Sequence, residues 1–353
     1  MEVMDTTTQD VFAGIDMDNI KFGEIFAKHM LVADFKNGAW ENYSIKPYGN
    51  IEFSPAMSSL HYGQVVFEGM KAFYNANEDC VNIFRADKHH ERMNKSNSRL
   101  CIPQMDQKEF INGLTELISK DKEWVPKRRG YSLYIRPFVF ATDPLLGVKV
   151  SDTYRYMIIA SPVGAYFKEG LNPVKLITAQ KYSRAVEGGL GETKTPANYA
   201  ATMKPSQEAK AKGFAQVLWL DGKQKTFIDE VGTMNIFFRV GDELITPPLG
   251  GTILAGVTRD SVIQIAKEWG LNVSERKISI DEVCEGIENG SLTEIFGTGT
   301  AAVISAVGEI NHNGKSYVVN DNKVGELSSK FYKEITGIQY GEIEDTRGWI
   351  TKV

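Results

Sequence analysis

The sequence predicts a mixed α+β protein of two domains, and three observations support this. The chain has 353 residues, enough to bury roughly 70 to 75% of its unfolded surface and more than one core usually needs. Its apolar segments alternate between short β-rich runs and stretches with helical spacing. A Gly/Asn/Pro connector, "FKEGLNPV", follows Tyr166 and separates two such sets. We therefore expect a small N-terminal α/β domain over 1–166, a connector over 167–175 and a larger C-terminal domain over 176–353.

In the first set, "HMLVADF", "GQVVFEGMKAFY" and "CVNIFRA" have the character of strands in an antiparallel meander. Asp87 can cap a helix in "KHHERMNKSNSRL". A second helix in "QKEFINGLTELISKDKEW" places Phe110, Leu114, Leu117 and Ile118 at helical spacing. "GYSLYIRPFVFA" and "RYMIIASPVGAYF" supply two further strands.

Beyond the connector, a strand "VKLITAQ" leads to the glycine-rich run "EGGLGE" and then to Lys194. The following helix should stop at Gly213 and kink or restart at Pro205. "QVLWLDG" with "TFIDEVG", and "MNIFFRV" with "ELITPP", form strand pairs turned by Asp221-Gly222 and Gly241-Asp242. "GVTRDSVIQIAKEWG" is an amphipathic helix ending at Gly270, and "SIDEVCEGIENG" opens on a capping box, Ser279 to Glu282. "EIFGTGTAAVISAV" contains a glycine-punctuated turn, and "ELSSKFYKEIT" is a closing helix.

Composition narrows the function. Apolar residues make up 42%, charged residues 24%, and the net charge is -5, with basic residues scattered among acids. That gives no track for a nucleic-acid backbone and points to small-molecule partners. Cys80, Cys101 and Cys284 show no metal-ligand spacing and read as reduced thiols of a cytoplasmic protein. The five histidines include no HExxH, so no metal is expected. The most apolar window, "YMIIASPVGAYF", is too short and too interrupted to span a bilayer, and the start "MEVMDTTTQDVF" is unlike a signal peptide.

Three glycine-punctuated turns and one lysine are the candidates for chemistry. "FGTGTAA", Phe296 to Ala302, is either a tight turn or an anion nest with hydroxyls from Thr298 and Thr300. "AGVTRD" puts Val257 and Thr258 at a helix N-terminus, where Thr258 caps its own helix or the free N–H groups attract phosphate. "DEVGTMN" ends a strand with Glu230, by itself an ordinary surface glutamate. Lys194, between glycines and an Asn-Tyr pair, is by itself an ordinary surface cation. Together they are what a phosphorylated aldehyde cofactor requires: an amine, an acid for a ring nitrogen, and a phosphate nest.

The segments "FGEIFAKHML", "SSLHYGQVVFEGMKAF", "LYIRP", "SPVGAYF", "KTPANY", "QVLWL", "EVGTMN", "GVTR" and "FGTGTA" occur in an order and spacing that resemble the branched-chain amino acid aminotransferases. These are fold-type IV pyridoxal-phosphate enzymes with a small α/β domain and a larger pseudo-barrel domain of strands flanked by helices. The resemblance runs from about Phe22 nearly to the C-terminus. It implies that Lys194 is the Schiff-base lysine, that Tyr199 bonds the cofactor's phenolic oxygen and that Glu230 faces the pyridine nitrogen. It also implies that Arg92, in "HHERM", clamps the phosphate with Val257, Thr258 and Thr300. On the substrate side it implies an aromatic pocket of Phe22, Tyr62, Phe67, Tyr134 and Tyr166, and a carboxylate site at Thr233 and the Ala301 backbone. Arg136 would orient a tyrosine or meet the second carboxylate of glutamate. Residues matching Tyr62, Leu146 and Val148 close the family's pocket from a second subunit, which implies at least a homodimer.

The implied reaction is a ping-pong transamination of L-leucine, L-isoleucine and L-valine with 2-oxoglutarate, Lys194 serving as general base. Two departures stand out. Thr-Pro-Ala precedes Asn198 where relatives commonly carry glycines, so Pro196 should stiffen the loop. Ala302 and Ser305 replace a CxxC of mammalian members, which removes a thiol switch. The rivals are a D-amino acid aminotransferase, an aminodeoxychorismate lyase, or a non-catalytic ligand-binding relative.

Overall fold

The computed structural model describes residues 11–164 and 171–353. Their strands form two sheets, of eight and nine strands. The first is antiparallel throughout and runs, edge to edge, Ile350–Lys352, Cys80–Phe84, Met70–Asn75, Ser132–Ala141, Tyr154–Val163, His29–Lys36 and Ala39–Pro47. Val65–Phe67 pairs with the far end of Ser132–Ala141. "GQVVFEGMKAFY" is thus two strands, interrupted at Glu68-Gly69. The chain's last strand returns to this first sheet beside Cys80–Phe84. The division at 166 and 175 remains a proposal, with that strand as an exchange across it.

The second sheet is mixed: Val303–His312, Val174–Thr178 and Gln216–Leu220 run parallel, as do Glu243–Thr246 and Asn272–Glu275. Both of its faces are covered. In Asn235–Val240, Ile236 and Phe238 belong to one core while Phe237 belongs to another, which is why "MNIFFRV" reads as a nearly continuous apolar run. Helix Ile280–Asn289 covers one face, and Val257–Glu268 with Glu326–Gln339 cover the other. The second of those cores also takes in Phe73 and Phe84 of the first sheet, so the two sheets share it.

Helix Gln107–Lys120 buries Phe110, Leu114, Leu117 and Ile118, and Asp106 caps it. The preceding helix, Ala86–Arg99, starts before Asp87, which lies in its first turn rather than at its cap. The cap is Arg85, in the left-handed region at φ 51, held there by Asp260 at 2.6 Å and Ser261 at 2.8 Å. A distant ion pair therefore overrides the local capping signal. After Lys194 the helix is broken into Pro196–Ala200 and Met203–Ala211, with Pro205 in the first turn of the second piece, where its missing N–H costs nothing. Asp221-Gly222 does not make a two-residue turn. Asp221 instead accepts N–H bonds from Lys223, Gln224, Thr226 and Phe227 and closes a wider loop. Only half of the capping box forms: Ser279 accepts from the Glu282 N–H at 3.0 Å, while the Glu282 carboxylate turns to Arg276 at 2.7 Å. Among the described residues no helix is long and apolar enough to cross a membrane.

Candidate active site

One cleft is lined by Arg92, Lys194, Tyr199, Glu230, Thr233, Val257, Thr258 and Thr300. These eight sequence candidates come from five separate segments of the chain. Local structure explains how each arrives.

Lys194 sits on a loop fixed at several points. Its N–H donates to Ser96 Oγ at 3.0 Å, and its carbonyl accepts from the Phe67 N–H at 3.1 Å. Asn198 Nδ2 donates to the Leu190 and Thr193 carbonyls, both at 2.7 Å, and so ties the glycine-rich run to the short helix. Pro196 is that helix's first residue, where its fixed φ suits the backbone and starts the helix. The Lys194 Nζ donates to the Tyr199 hydroxyl at 3.1 Å and lies 5.0 Å from the centre of the Phe67 ring.

Glu230 is aimed by a β-bulge. The register between Ile228–Val231 and Gln216–Leu220 slips between Ile228 and Glu230, which re-aims the next side chain. Gly232-Thr233 then makes a tight hairpin led by Gly232 at φ 56, closed by Val231 and Met234. Glu230 Oε1 accepts from the Leu254 N–H at 3.0 Å and Asn235 Nδ2 at 3.1 Å, and Oε2 lies 2.7 Å from Arg184 Nε. Burial pushes the Glu230 carboxyl up to about 7, although Arg184 and the Leu254 N–H pull the other way.

Arg92 shares a helix face with His89 and Ser96. Glu68, fully buried in the strand break, accepts from Arg92 Nε at 2.7 Å and Nη2 at 2.8 Å, and Arg92 Nη1 donates to the Ala255 carbonyl at 3.0 Å. His89 Nδ1 lies 2.7 Å from Glu68. The carboxylate only accepts, so Nδ1 carries the hydrogen. Burial would push the Glu68 carboxyl up, but Arg92 and then His89 hold it well below the usual range.

Opposite Arg92, helix Val257–Glu268 points its N-terminus into the cleft with Gly256 as cap and no side chain on its free N–H groups. A Cβ on Gly256 would meet Asn235 Oδ1 at 1.9 Å, so only glycine leaves Asn235 in place beside Glu230. The Thr300 hydroxyl donates to the Gly69 carbonyl at 3.1 Å. Thr298, at the cleft wall, keeps a buried hydroxyl without a partner.

The aromatic candidates form a chain leading out of the cleft. Phe67 packs on Tyr199 at 5.0 Å, Arg136 lies over Phe67 at 4.7 Å, its Nη2 donates to the Tyr134 hydroxyl at 2.9 Å, and Phe22 meets Tyr134 edge-on at 4.7 Å. Arg136 therefore orients a tyrosine. Tyr62 donates to the Leu146 carbonyl. That group stands apart from the cleft, with Tyr62, Leu146 and Val148 exposed at 47%, 62% and 82%. Ala301 lies just beyond the cleft lining, its carbonyl taken by Lys71 Nζ at 2.8 Å. Tyr166 lies outside the described residues. Sequence reasoning did not single out Glu68, His89, Lys71, Arg184 or Asn235. Glu68 and Lys71 stand within a quoted segment, but no spacing marks them; Arg184 has no local signal at all.

A phosphorylated aldehyde cofactor suits this cleft. Free helix N–H groups, Arg92 and the unpartnered Thr298 hydroxyl make an anion end, Lys194 supplies an amine, and Glu230 supplies a carboxyl of raised proton affinity.

Residues 65–310 match the family amino-transferase class IV. The chain is 51% identical over 339 residues to branched-chain-amino-acid aminotransferase 2 of Bacillus subtilis (strain 168), covering 96% of this chain and 93% of that one. It is 46% identical to branched-chain-amino-acid transaminase 1 of the same organism, covering 96% and 95%. Among solved structures it is similar to the T.th. branched-chain amino acid aminotransferase with pyridoxamine 5'-phosphate, at TM-score 0.77 and 26% identity over 93% of this chain and 99% of that one. The Thermoproteus uzoniensis branched-chain aminotransferase with norvaline gives TM-score 0.75 and 25% identity over 92% and 99%. With the matched family spanning well over half of its length and these relatives nearly all of it, the chain belongs to the class IV aminotransferases, among the branched-chain amino acid aminotransferases.

Proposed function

We propose that the protein transfers the amino group of L-leucine, L-isoleucine and L-valine to 2-oxoglutarate, using pyridoxal 5'-phosphate. The convergence of Lys194, Glu230 and Arg92 on one cleft carries the reading, and the near full-length identity to branched-chain aminotransferases favours it over the D-amino acid and lyase rivals. When bound, the cofactor supplies an aldehyde that condenses with amines and a ring that draws electrons from the substrate Cα.

The chain's own residues do the rest. Arg92 and the N–H groups of Val257 and Thr258 hold the phosphate. Lys194 would hold the cofactor through its Nζ, and the same amine would serve as the general base for the Cα proton. Tyr199, already bonded to Nζ, orients that amine and meets the phenolic oxygen. Glu230 would hold a proton at the ring nitrogen, and burial, which raises its carboxyl to about 7, lets it do so near neutral pH. Thr233 and the Ala301 backbone take the α-carboxylate. Phe22, Phe67, Tyr134 and Tyr166 make the apolar wall, with Arg136 bracing Tyr134. Tyr62, Leu146 and Val148, all exposed, would close the pocket of a second copy in a cytoplasmic homodimer.

Borohydride reduction of the holoenzyme followed by peptide mapping should label Lys194, and Lys194→Ala should lose both label and turnover. A protein that turns over D-alanine but none of the three branched L-amino acids would overturn the reading.

A further inference from the structure

Strand Met70–Asn75 carries a charge that the reaction as described does not use. Met70 and Ala72 belong to the first sheet's core, so Lys71 and Phe73 point the other way, and Phe73 packs with Phe237, Phe296 and Val303 of the second sheet. Lys71 is 8% exposed and directly opposite Tyr134 in register. Its Nζ donates to the Ala301 carbonyl at 2.8 Å. Burial lowers the amine to about 8, with no acid acting against it. A buried ammonium without a carboxylate is destabilising, and an apolar side chain of similar size is often no worse for stability. Lys71 therefore calls for a reason other than stability.

Its acceptor lies in a strained turn. The hairpin between Leu292–Gly299 and Val303–His312 closes with Gly299 opposite Val303. Val303 has φ 62, and the Ile304 N–H reaches back to the Ala302 carbonyl at 2.8 Å. This is a γ-turn of the positive-φ kind, rare for any side chain and strained for a β-branched one. Such strain persists where the surroundings over-determine it, and it clusters at functional sites. Here two contacts from the first sheet hold the turn: Lys71 on the Ala301 carbonyl, and the Thr300 hydroxyl on the Gly69 carbonyl at 3.1 Å.

We propose that Lys71 is a positioning residue for the substrate's α-carboxylate, holding the turn from Thr300 to the strained Val303 in place and adding a net positive charge behind it. This rests on the reading above that Thr233 and the Ala301 backbone receive that carboxylate.

The test compares two half-substrates on the holoenzyme by spectral titration: 4-methylpentanoate, which keeps leucine's carboxylate, and 3-methylbutylamine, which keeps its amine. Lys71→Met should weaken 4-methylpentanoate about tenfold or more and leave 3-methylbutylamine within about twofold, and Lys71→Arg should restore most of the loss. Lys71→Gln, which keeps a donor, serves if the Met variant does not fold. Equal weakening of both ligands, or unchanged carboxylate affinity, overturns the proposal. Loss of the borohydride label from the wild-type protein would instead overturn the underlying reading. An intact label without ligand discrimination overturns only the role of Lys71.

Discussion

Two buried glutamates, Glu68 behind Arg92 and Glu230 in the cleft lining, have opposite electrostatic fates. Glu68 is fully buried and Glu230 is 3% exposed, so burial pushes both carboxyls up. Glu68 nevertheless stays well below its ordinary value, whereas Glu230 rises to about 7. The partners decide. Glu68 takes two parallel N–H bonds from Arg92 and a third from His89. Glu230 has one guanidinium nitrogen close by, at 2.7 Å, but not aligned for a hydrogen bond, and its other oxygen takes neutral donors, the Leu254 N–H and Asn235. A fork grip fixes an anion permanently; a looser one leaves a carboxyl able to exchange a proton near neutral pH. The first suits a group that holds a guanidinium in place, the second a group that must answer to a ring nitrogen.

The sharpest way to break this contrast is to remove each carboxylate. Glu68→Ala leaves Arg92, 8% exposed, without its counter-charge. Breaking a buried pair this way costs about 3–5 kcal/mol, read as a drop in urea stability. Glu230→Gln keeps an acceptor for the Leu254 N–H and removes a charge that burial disfavours, and Arg184 keeps the Gly191 and Thr252 carbonyls and the nearby charge of Asp229, so only about 1 kcal/mol should be lost, while turnover falls steeply. Equal stability losses would mean the two carboxylates do not differ in kind. Gly256→Ala works one step back from Glu230. The added Cβ would meet Asn235 Oδ1 at 1.9 Å, push Asn235 off the carboxylate, and cost about 1–3 kcal/mol, with the pH–rate profile shifting as Glu230 loses a donor. An unmoved profile would show that Asn235 has no share in setting Glu230.

These partners also mark how far the sequence could be read. Phe110, Leu114, Leu117 and Ile118 were legible because helical period alone assigns them a face. The surroundings of Lys194 were legible because Asn198 bonds residues only a few positions away. Asp87 misled because the helix start is set by Arg85 reaching Asp260 and Ser261 in another helix, which no local rule encodes. Glu68 with Arg92, Glu230 with Arg184, and Lys71 with Ala301 are likewise meetings between distant segments. The family resemblance named one partner in two of these pairs and in the third only the Ala301 backbone, because it assigns residues toward the ligand and is silent about what stands behind them.

The smallest expected effect tests how Arg184 divides its charge. Asp229, at the bulge beside Glu230, has its carboxyl raised from 3.8 to about 6; burial is the main cause and Asp221 adds to it, while Arg184, Thr252 and Lys277 oppose. The folded protein therefore binds a proton that the unfolded chain has already released between about pH 4 and pH 6. Stability falls as pH rises through that window, and the whole penalty persists above it. Asp229→Asn should leave urea stability unchanged below about pH 4 and raise it above pH 6. Asp229 is half-buried, so solvent screening reduces the gain to about 1 kcal/mol. If Arg184 is then left wholly to Glu230, the Glu230 carboxyl should titrate lower in the variant, moving the acid limb of the pH–rate profile down. A stability gain that is the same at pH 4 and pH 8 would show that Asp229 acts through packing, and that Arg184 has no second carboxylate to share.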